Sequence, residues 1–378
     1  MTTQLKLELL GLNYQQLTAI VEEMGEPRFR ARQLFDALYR QRLSSVDDIS
    51  TLPKSFRSRL HSAGYSVGFP KVDQRFLSVD GTVRYLVRFA DGQSVETVWM
   101  PDGDGVEDTE ELPPGAMLAT QPVSINPPNK RGTICLSSQS GCAVGCKFCM
   151  TALLGLQRNL TAGEIVGQVL LVLNDHGIEI GRDRINLVFM GQGEPFLNYA
   201  NFMLAVQLLV EGTGIPESRM TVSTSGIVPR IVEFGAESVR PHLAISLNGS
   251  NDEVRERVMP LNRKWNLEAI LGAAREFPLR SRERLTFEYV LLSGVNDSAE
   301  NALEVVALLR GIRAKVNLIA LNPGAEIAFA TPSPEAVAAF QAILVGAGIP
   351  AYVRRPRGLD IYAACGQLKR TSGLIPLS

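Results

Sequence analysis

The sequence predicts an α/β protein: a parallel sheet built from six β/α repeats, preceded by a small β-meander and an N-terminal helical unit. Three observations carry that prediction. Strand-like runs alternate with helical segments through the second half of the chain, as GTICLSS, INLVFMG, MTVSTSG, LAISLNG, LTFEYVLLSG and VNLIALN. Before them, RFLSVDGTVRYLVRFADGQSVETVWM holds β-branched and apolar runs separated by Asp80-Gly81 and Asp91-Gly92, a strong hairpin signal. Nearest the start, QQLTAIVEEMG and RARQLFDALYRQ carry apolar residues at helical spacing, with Gly25 and Pro27 between them. A chain of 378 residues, 45% hydrophobic, has apolar material for a large core and more than one structural unit.

Taken in order, residues 1–70 form the helical unit and 71–100 the meander. Residues 101–131 turn acidic and then proline-rich without a clear period, which reads as a surface loop or insertion. The repeats occupy 132–355. Among their helices, Thr161 and Glu164 make a capping box ahead of AGEIVGQVLLVLND. Ser333 caps a second helix, with Pro334 at its first position. Six such repeats imply a parallel sheet, either open and doubly wound or a partial barrel, with chemistry gathered where strands end and loops begin. A tail, 356–378, completes the chain.

No stretch is long and apolar enough to span a bilayer, and MTTQLKLELLGLNYQQ lacks the pattern of a signal peptide. A cytoplasmic protein with no membrane partner is expected. Thiols stay reduced there, so clustered cysteines point to metal or redox chemistry rather than structural disulfides. The net charge of −1 hides an asymmetry: residues 102–111 carry six acids and no base, which leaves +5 elsewhere. Basic runs then stand out at Arg28, Arg30, Arg32, Arg40 and Arg42, and again at Arg354, Arg355, Arg357, Lys369 and Arg370. Such clusters suit a polyanion, although on charge alone a solvated helix face explains them as well.

Three of the five cysteines, Cys142, Cys146 and Cys149, crowd into GCAVGCKFCMTALLG just after the first predicted barrel strand. Structural zinc wants four ligands, and Cys135 is a possible fourth. A four-iron cluster takes four thiolates, so three leave one iron open to a small molecule. The pattern C-x-x-x-C-x-aromatic-C, with Phe148 before Cys149, resembles that of the radical S-adenosylmethionine enzymes. The resemblance implies one 4Fe-4S cluster held by these three cysteines and S-adenosylmethionine on the open iron. Cleavage by one electron then gives a 5′-deoxyadenosyl radical. In MGQGEPFLN it makes Gly193 and Glu194 contacts to the amino group of S-adenosylmethionine, where glycine allows close approach and a carboxylate accepts from an ammonium.

Longer segments resemble one branch of these enzymes, the RNA adenine methyltransferases of the RlmN/Cfr family. They are GTICLSSQSGCAVGCKFCMTALLGLQRNLTAGEI, VFMGQGEPFLN, STSGIVP, ISLNGSNDEVRERVMPLNRKWN and RGLDIYAACGQL. The implied fold is a partial (β/α)6 radical S-adenosylmethionine barrel, and the helical unit resembles an RNA-binding domain. The implied activity methylates carbon 2 of an adenosine in 23S ribosomal RNA and in tRNA. Cys365 takes a methyl group from one S-adenosylmethionine, and a second generates the radical, two per turnover. Cys135 resolves the covalent RNA adduct through a transient disulfide with Cys365, and Glu96 accepts the proton from the adenine carbon. Ser223, Ser246, Leu247, Asn248 and Asn322 are further implied contacts to S-adenosylmethionine.

Blander readings stand beside these. A lone Cys365 is core by default, Cys135 is strand core or a spare metal ligand, Glu96 is a solvent-facing strand residue, and the Ser and Asn positions are turns or caps. Many relatives have His at Asn248 and Met at Gln192, and they pass from meander to barrel by a much shorter link. A monomer served by an external one-electron donor such as a flavodoxin is expected. The nearest rival aims the same machinery at carbon 8, giving antibiotic resistance. A rival of another class is a non-catalytic, metal-stabilised RNA-binding protein.

Overall fold

The computed structural model describes residues 7–101, 129–324 and 326–368; most of the 101–131 segment, together with Lys369 and Arg370, lies outside them. The N-terminal unit runs β1 (Leu7–Glu8), α1 (Tyr14–Glu23), α2 (Phe29–Tyr39), α3 (Lys54–Ser62) and β2 (Tyr65–Ser66), with β1 and β2 parallel. The side chain of Asn13 caps α1 in a reciprocal box with Gln16. The buried faces of α1 to α3 join the same hydrophobic core as the barrel helices. Docking is close: Gly11 lies directly on Gly163, and the Tyr39 hydroxyl donates to the Leu12 carbonyl while accepting from the Gly11 amide.

The meander is β3 (Lys71–Leu77), β4 (Val83–Arg88) and β5 (Ser94–Pro101), antiparallel throughout. Both turns carry the expected Asp-Gly pairs, with Gly81 and Gly92 left-handed at φ 82° and 85°. The meander does not stand apart from the barrel. Strand β5 pairs antiparallel with β6 (Arg131–Cys135), placing Val98 opposite Cys135.

After β6 come a short hairpin, β7 (Gln139–Gly141) with β8 (Leu156–Asn159), and α4 (Ala162–Asp175), capped by Thr161 and Glu164 as the sequence predicts. The repeats continue with β9 (Arg184–Phe189), α5 (Tyr199–Leu208), β10 (Met220–Thr224), α6 (Val228–Gly235) and β11 (His242–Ser246). Next are α7 (Asp252–Val258), α8 (Leu267–Glu276), β12 (Leu285–Leu291), α9 (Ala299–Leu308), β13 (Ala314–Ala320), α10 (Pro334–Gly346) and β14 (Ala351–Val353). Ser333 and Pro334 open α10 as expected.

The ten-stranded sheet runs β14-β13-β12-β11-β10-β9-β6-β5-β4-β3, parallel from β6 to β14. Its order never reverses, whereas a doubly wound sheet reverses at its switch point. The partial barrel is therefore the architecture, and β14, only three residues long, adds a seventh parallel strand to the six predicted.

The segment after β14 folds back across the open end. Asp360 accepts from the Val79 amide at 3.1 Å and from Ser78, and Asp80 accepts from the Gly358 amide at 3.0 Å, so the first meander turn grips it. The Gly366 carbonyl accepts from the Met150 amide and the Leu368 carbonyl from the Thr151 hydroxyl, both at 2.8 Å. Ile361, Ala363 and Leu368 bury themselves against Val98, Cys135 and Val188.

Gly163 tests the docking of the helical unit. In an isolated helix Gly→Ala stabilises by roughly 0.5–1 kcal/mol. Here a Cβ would lie 2.1 Å from the Leu10 carbonyl oxygen, a backbone atom. Overpacking wins: Gly163→Ala should lower stability by about 1–3 kcal/mol in urea unfolding, and stabilisation would refute this contact.

Candidate active site

The C-terminal ends of the parallel strands surround two adjoining cavities. The first, of about 160 Å³, is lined by Cys142, Cys146 and Cys149 from the loop after β7, and by Gly193, Glu194 and Ser223 among others. The second, of about 170 Å³, lies between β5 and β6 on one side and β13 on the other, under the C-terminal segment. Cys135 lines only the second; Cys365, Glu288 and Asn322 line both. Cys365 is exposed because the cavities reach it, although protein surrounds it. That burial, with the Glu288 carboxylate nearby, pushes its thiol up to about 11. Burial raises Cys135 further.

All five cysteines are free. Among the described residues no three His, Cys, Asp or Glu side chains gather tightly enough to hold a single metal ion. The three thiols edge one cavity.

Gly193 has φ 102°, and a Cβ there would lie 2.7 Å from the Gln139 backbone nitrogen, so the turn needs glycine. The Glu194 carboxylate accepts from the Ser225 amide at 2.6 Å, the Ser225 hydroxyl at 2.7 Å, the Phe196 amide at 3.0 Å and the Thr224 side chain. Burial raises its pKa despite those bonds, a cost that a bound cation would relieve.

Ser223 and Ser246 lie 3.5 Å apart, oxygen to oxygen, and Ser223 donates to Glu288. The Asn322 amide donates to the Cys365 carbonyl at 3.0 Å. Asn248 lines the first cavity, but its carbonyl oxygen accepts from the Val290 amide at 2.8 Å and its amide contacts Met259 Sδ, a structural use of both ends. Leu247 is fully buried and lines neither cavity.

Glu96 is not the solvent-facing residue that its blander reading expects. Its carboxylate, 1% exposed, pairs with Arg84 at 2.5 Å and accepts from the Gln192 amide at 3.2 Å. It shares a face of β5 with Val98, yet lines neither cavity. The early basic run is also less available than its sequence suggests. Arg30 pairs with Glu26, Arg32 and Arg40 with Asp36, and Arg42 donates to the Ile178 carbonyl.

Sequence reasoning missed Glu288 and Arg255. The Arg255 guanidinium, fully buried, bonds the carbonyls of Ser225 at 2.7 Å and Leu247 at 2.9 Å. It thereby ties together the loops that follow β10 and β11. Its only sequence signal is an arginine inside VRERVMP, and nothing local says that it turns inward.

The raised Cys365 pKa predicts its reactivity. A free cysteine thiol titrates near 8.5 and is mostly thiolate by pH 10. In cluster-free protein, alkylation at Cys365 by iodoacetamide, followed by peptide mass spectrometry, should keep rising up to about pH 11. A plateau by pH 10, where an ordinary thiol is almost fully ionised, would contradict this environment.

The model of the radical SAM superfamily matches residues 136–306, and that of the ribosomal RNA large subunit methyltransferase N-terminal domain matches residues 7–65. A probable dual-specificity RNA methyltransferase RlmN from Koribacter versatilis is 63% identical over 95% of this chain and 100% of its own length. A dual-specificity RNA methyltransferase RlmN from Campylobacter jejuni is 42% identical over 93% of this chain and 96% of its own. The crystal structure of a radical SAM methyltransferase from Sphaerobacter thermophilus superposes with a TM-score of 0.85 at 41% identity, covering 96% of this chain and 99% of the other.

Proposed function

Since the chain belongs to the RlmN family of radical S-adenosylmethionine RNA methyltransferases, we propose that it methylates carbon 2 of an adenosine in 23S ribosomal RNA, at the peptidyl-transferase centre, and in tRNA, just 3′ of the anticodon. One observation carries the reading. Cys365 stands in the wall common to two cavities; Cys142 and Cys146 line only the first, Cys135 only the second, and Cys149 both. A methyl carrier must meet its donor and its acceptor, and this cysteine faces a compartment for each.

Cys142, Cys146 and Cys149 would hold the 4Fe-4S cluster, which when bound would supply the electron that cleaves S-adenosylmethionine. Glu194 and Gly193 would receive the ammonium group of S-adenosylmethionine, and Ser223, Ser246 and Asn322 line the rest of its path. Contact from Leu247 would have to come from its backbone, and Asn248 serves chiefly to shape the wall. Cys365 accepts a methyl group from one S-adenosylmethionine by polar displacement. Loss of hydrogen from that S-methyl, at the expense of a second S-adenosylmethionine, gives a methylene radical that adds to the electron-poor adenine carbon.

Cys135 then attacks Cys365 sulfur: the bond from that sulfur to the methylene carbon breaks, the carbon takes a proton to become the methyl group, a disulfide forms, and the adduct's unpaired electron would return to the cluster. Glu96 accepts the proton from the adenine carbon; Arg84 holds it in place, and its contact with Gln192 would open to admit substrate. The chain acts as a cytoplasmic monomer supplied by an external one-electron donor such as a flavodoxin. No described helix is long and apolar enough to cross a membrane.

Reconstituted protein, S-adenosylmethionine, dithionite and unmodified 23S ribosomal RNA, incubated without oxygen and digested to nucleosides, should yield 2-methyladenosine by mass spectrometry. Finding 8-methyladenosine would overturn the regiochemistry, and finding neither would overturn the RNA substrate. Cys135→Ala should trap a covalent protein–RNA adduct, visible as a shifted band on denaturing gels. Clean turnover by that variant would remove the resolving role from Cys135.

A further inference from the structure

Gln139, from β7, is fully buried and lines neither cavity, yet both ends of its amide are engaged. Its oxygen accepts from the Glu194 backbone amide at 2.8 Å. Its nitrogen donates to the Asn159 side chain on β8, also at 2.8 Å. The backbone of β7 and the residue before it add two bonds: the Ser138 and Gln139 amides both donate to the Gln192 carbonyl, at 2.8 and 3.2 Å. Between these ties sits Gly193, where a Cβ would lie 2.6 Å from the Gln139 Cβ. Residues 192–194 therefore rest directly on Gln139.

Strands β7 and β8 are the two stems of the hairpin whose loop carries Cys142, Cys146 and Cys149, and Gln139 stands opposite Asn159 across it. One side chain thus joins two parts of the site that come from different places in the chain. On one side is the cysteine loop; on the other is the turn that presents Glu194. Ser225, Phe196 and Thr224 aim the Glu194 carboxylate, but the backbone beneath it is held by Gln139. A buried N–H without an acceptor is costly, so the turn stays where the glutamine oxygen is. A ligand held by both the loop and the turn gains from both only when their spacing is fixed before it arrives.

We propose that Gln139 is a positioning residue for S-adenosylmethionine. It sets Glu194 at a fixed distance from the cysteine loop, and so governs affinity for the amino end of the ligand without touching it. The inference rests on the proposed function, which makes Glu194 the receptor of that amino group, and adds the residue that places the receptor. Methionine at this position would fill a similar space but offer neither an acceptor to the Glu194 amide nor a donor to Asn159.

The probe is radiolabelled S-adenosylhomocysteine, which keeps the amino group and transfers no methyl. Its binding to anaerobically reconstituted holoenzyme is measured by equilibrium dialysis, with iron counted in every sample. Gln139→Met should weaken binding about tenfold, close to the worth of one buried hydrogen bond, with iron content unchanged. Glu194→Ala should weaken it roughly 10–100-fold, as loss of a hydrogen bond to a charged group does. The double variant should bind no more weakly than Glu194→Ala alone, because Gln139 acts through Glu194. Asn159→Ala, at an exposed position, should cost about threefold, since the Gln139 amide is then held at one end only. Unchanged affinity in Gln139→Met, or two losses that multiply in the double variant, overturns the proposal. Should Gln139→Met fail to hold iron, Asn159→Ala decides, and wild-type affinity there overturns it equally. Wild-type affinity in Glu194→Ala would instead overturn the reading of Glu194 on which the inference rests.

Discussion

The pairing of β5 with β6 is the constraint on which the site depends. On one edge β6 runs antiparallel to the meander, and on the other it runs parallel to β9. That arrangement fuses two predicted units into one sheet and sets Val98 against Cys135. With Val188 from the next strand they make the apolar seat for Ile361, Ala363 and Leu368. Slipping β6 by one residue would turn Cys135 to the other face and bring the core residue Ile134 into its place. The C-terminal segment would lose its seat, and Cys365 its position between the cavities.

Buried charge reinforces that frame at two points. Arg84 and Glu96, at 0% and 1% exposure, lie on neighbouring strands of the meander, and Gln192 reaches Glu96 from the loop after β9. Desolvation of such a pair consumes much of its attraction, so its net worth to stability is small. Removing one partner alone would strand the other, at a cost of about 3–5 kcal/mol. The pair therefore fixes a geometry more than it adds stability. Arg255 works in the same way on the far side of the first cavity, where a planar fork with several donors can bond several carbonyls at once.

Local patterns in the sequence carry the elements well. Thr161 with Glu164, Ser333 with Pro334, and the two Asp-Gly turns all take the roles that their chemistry predicts, because caps and tight turns are decided by neighbours within a few residues. The cysteine loop is legible for the same reason. What escapes the sequence is decided over long distances. β14 is too short to show a period. The inward turn of Arg255 depends on carbonyls from two other loops. Gln192 reaches Glu96 across 96 positions, and Asp360 meets Ser78 across 282. The early arginines mislead for a related reason: their acidic partners Glu26 and Asp36 sit close in sequence, but only the helix shows which pairs face each other.

The same burial that seats the two outlying cysteines also restrains them. Both thiols titrate well above the ordinary range, so near neutral pH both stay protonated. Thiol–disulfide exchange needs a thiolate, and a protein that held Cys135 ionised beside Cys365 would invite oxidation before substrate arrived. In the proposed reaction, Cys135 has work to do only after Cys365 is bonded to the base. A resolving cysteine kept protonated in an apolar wall suits that order.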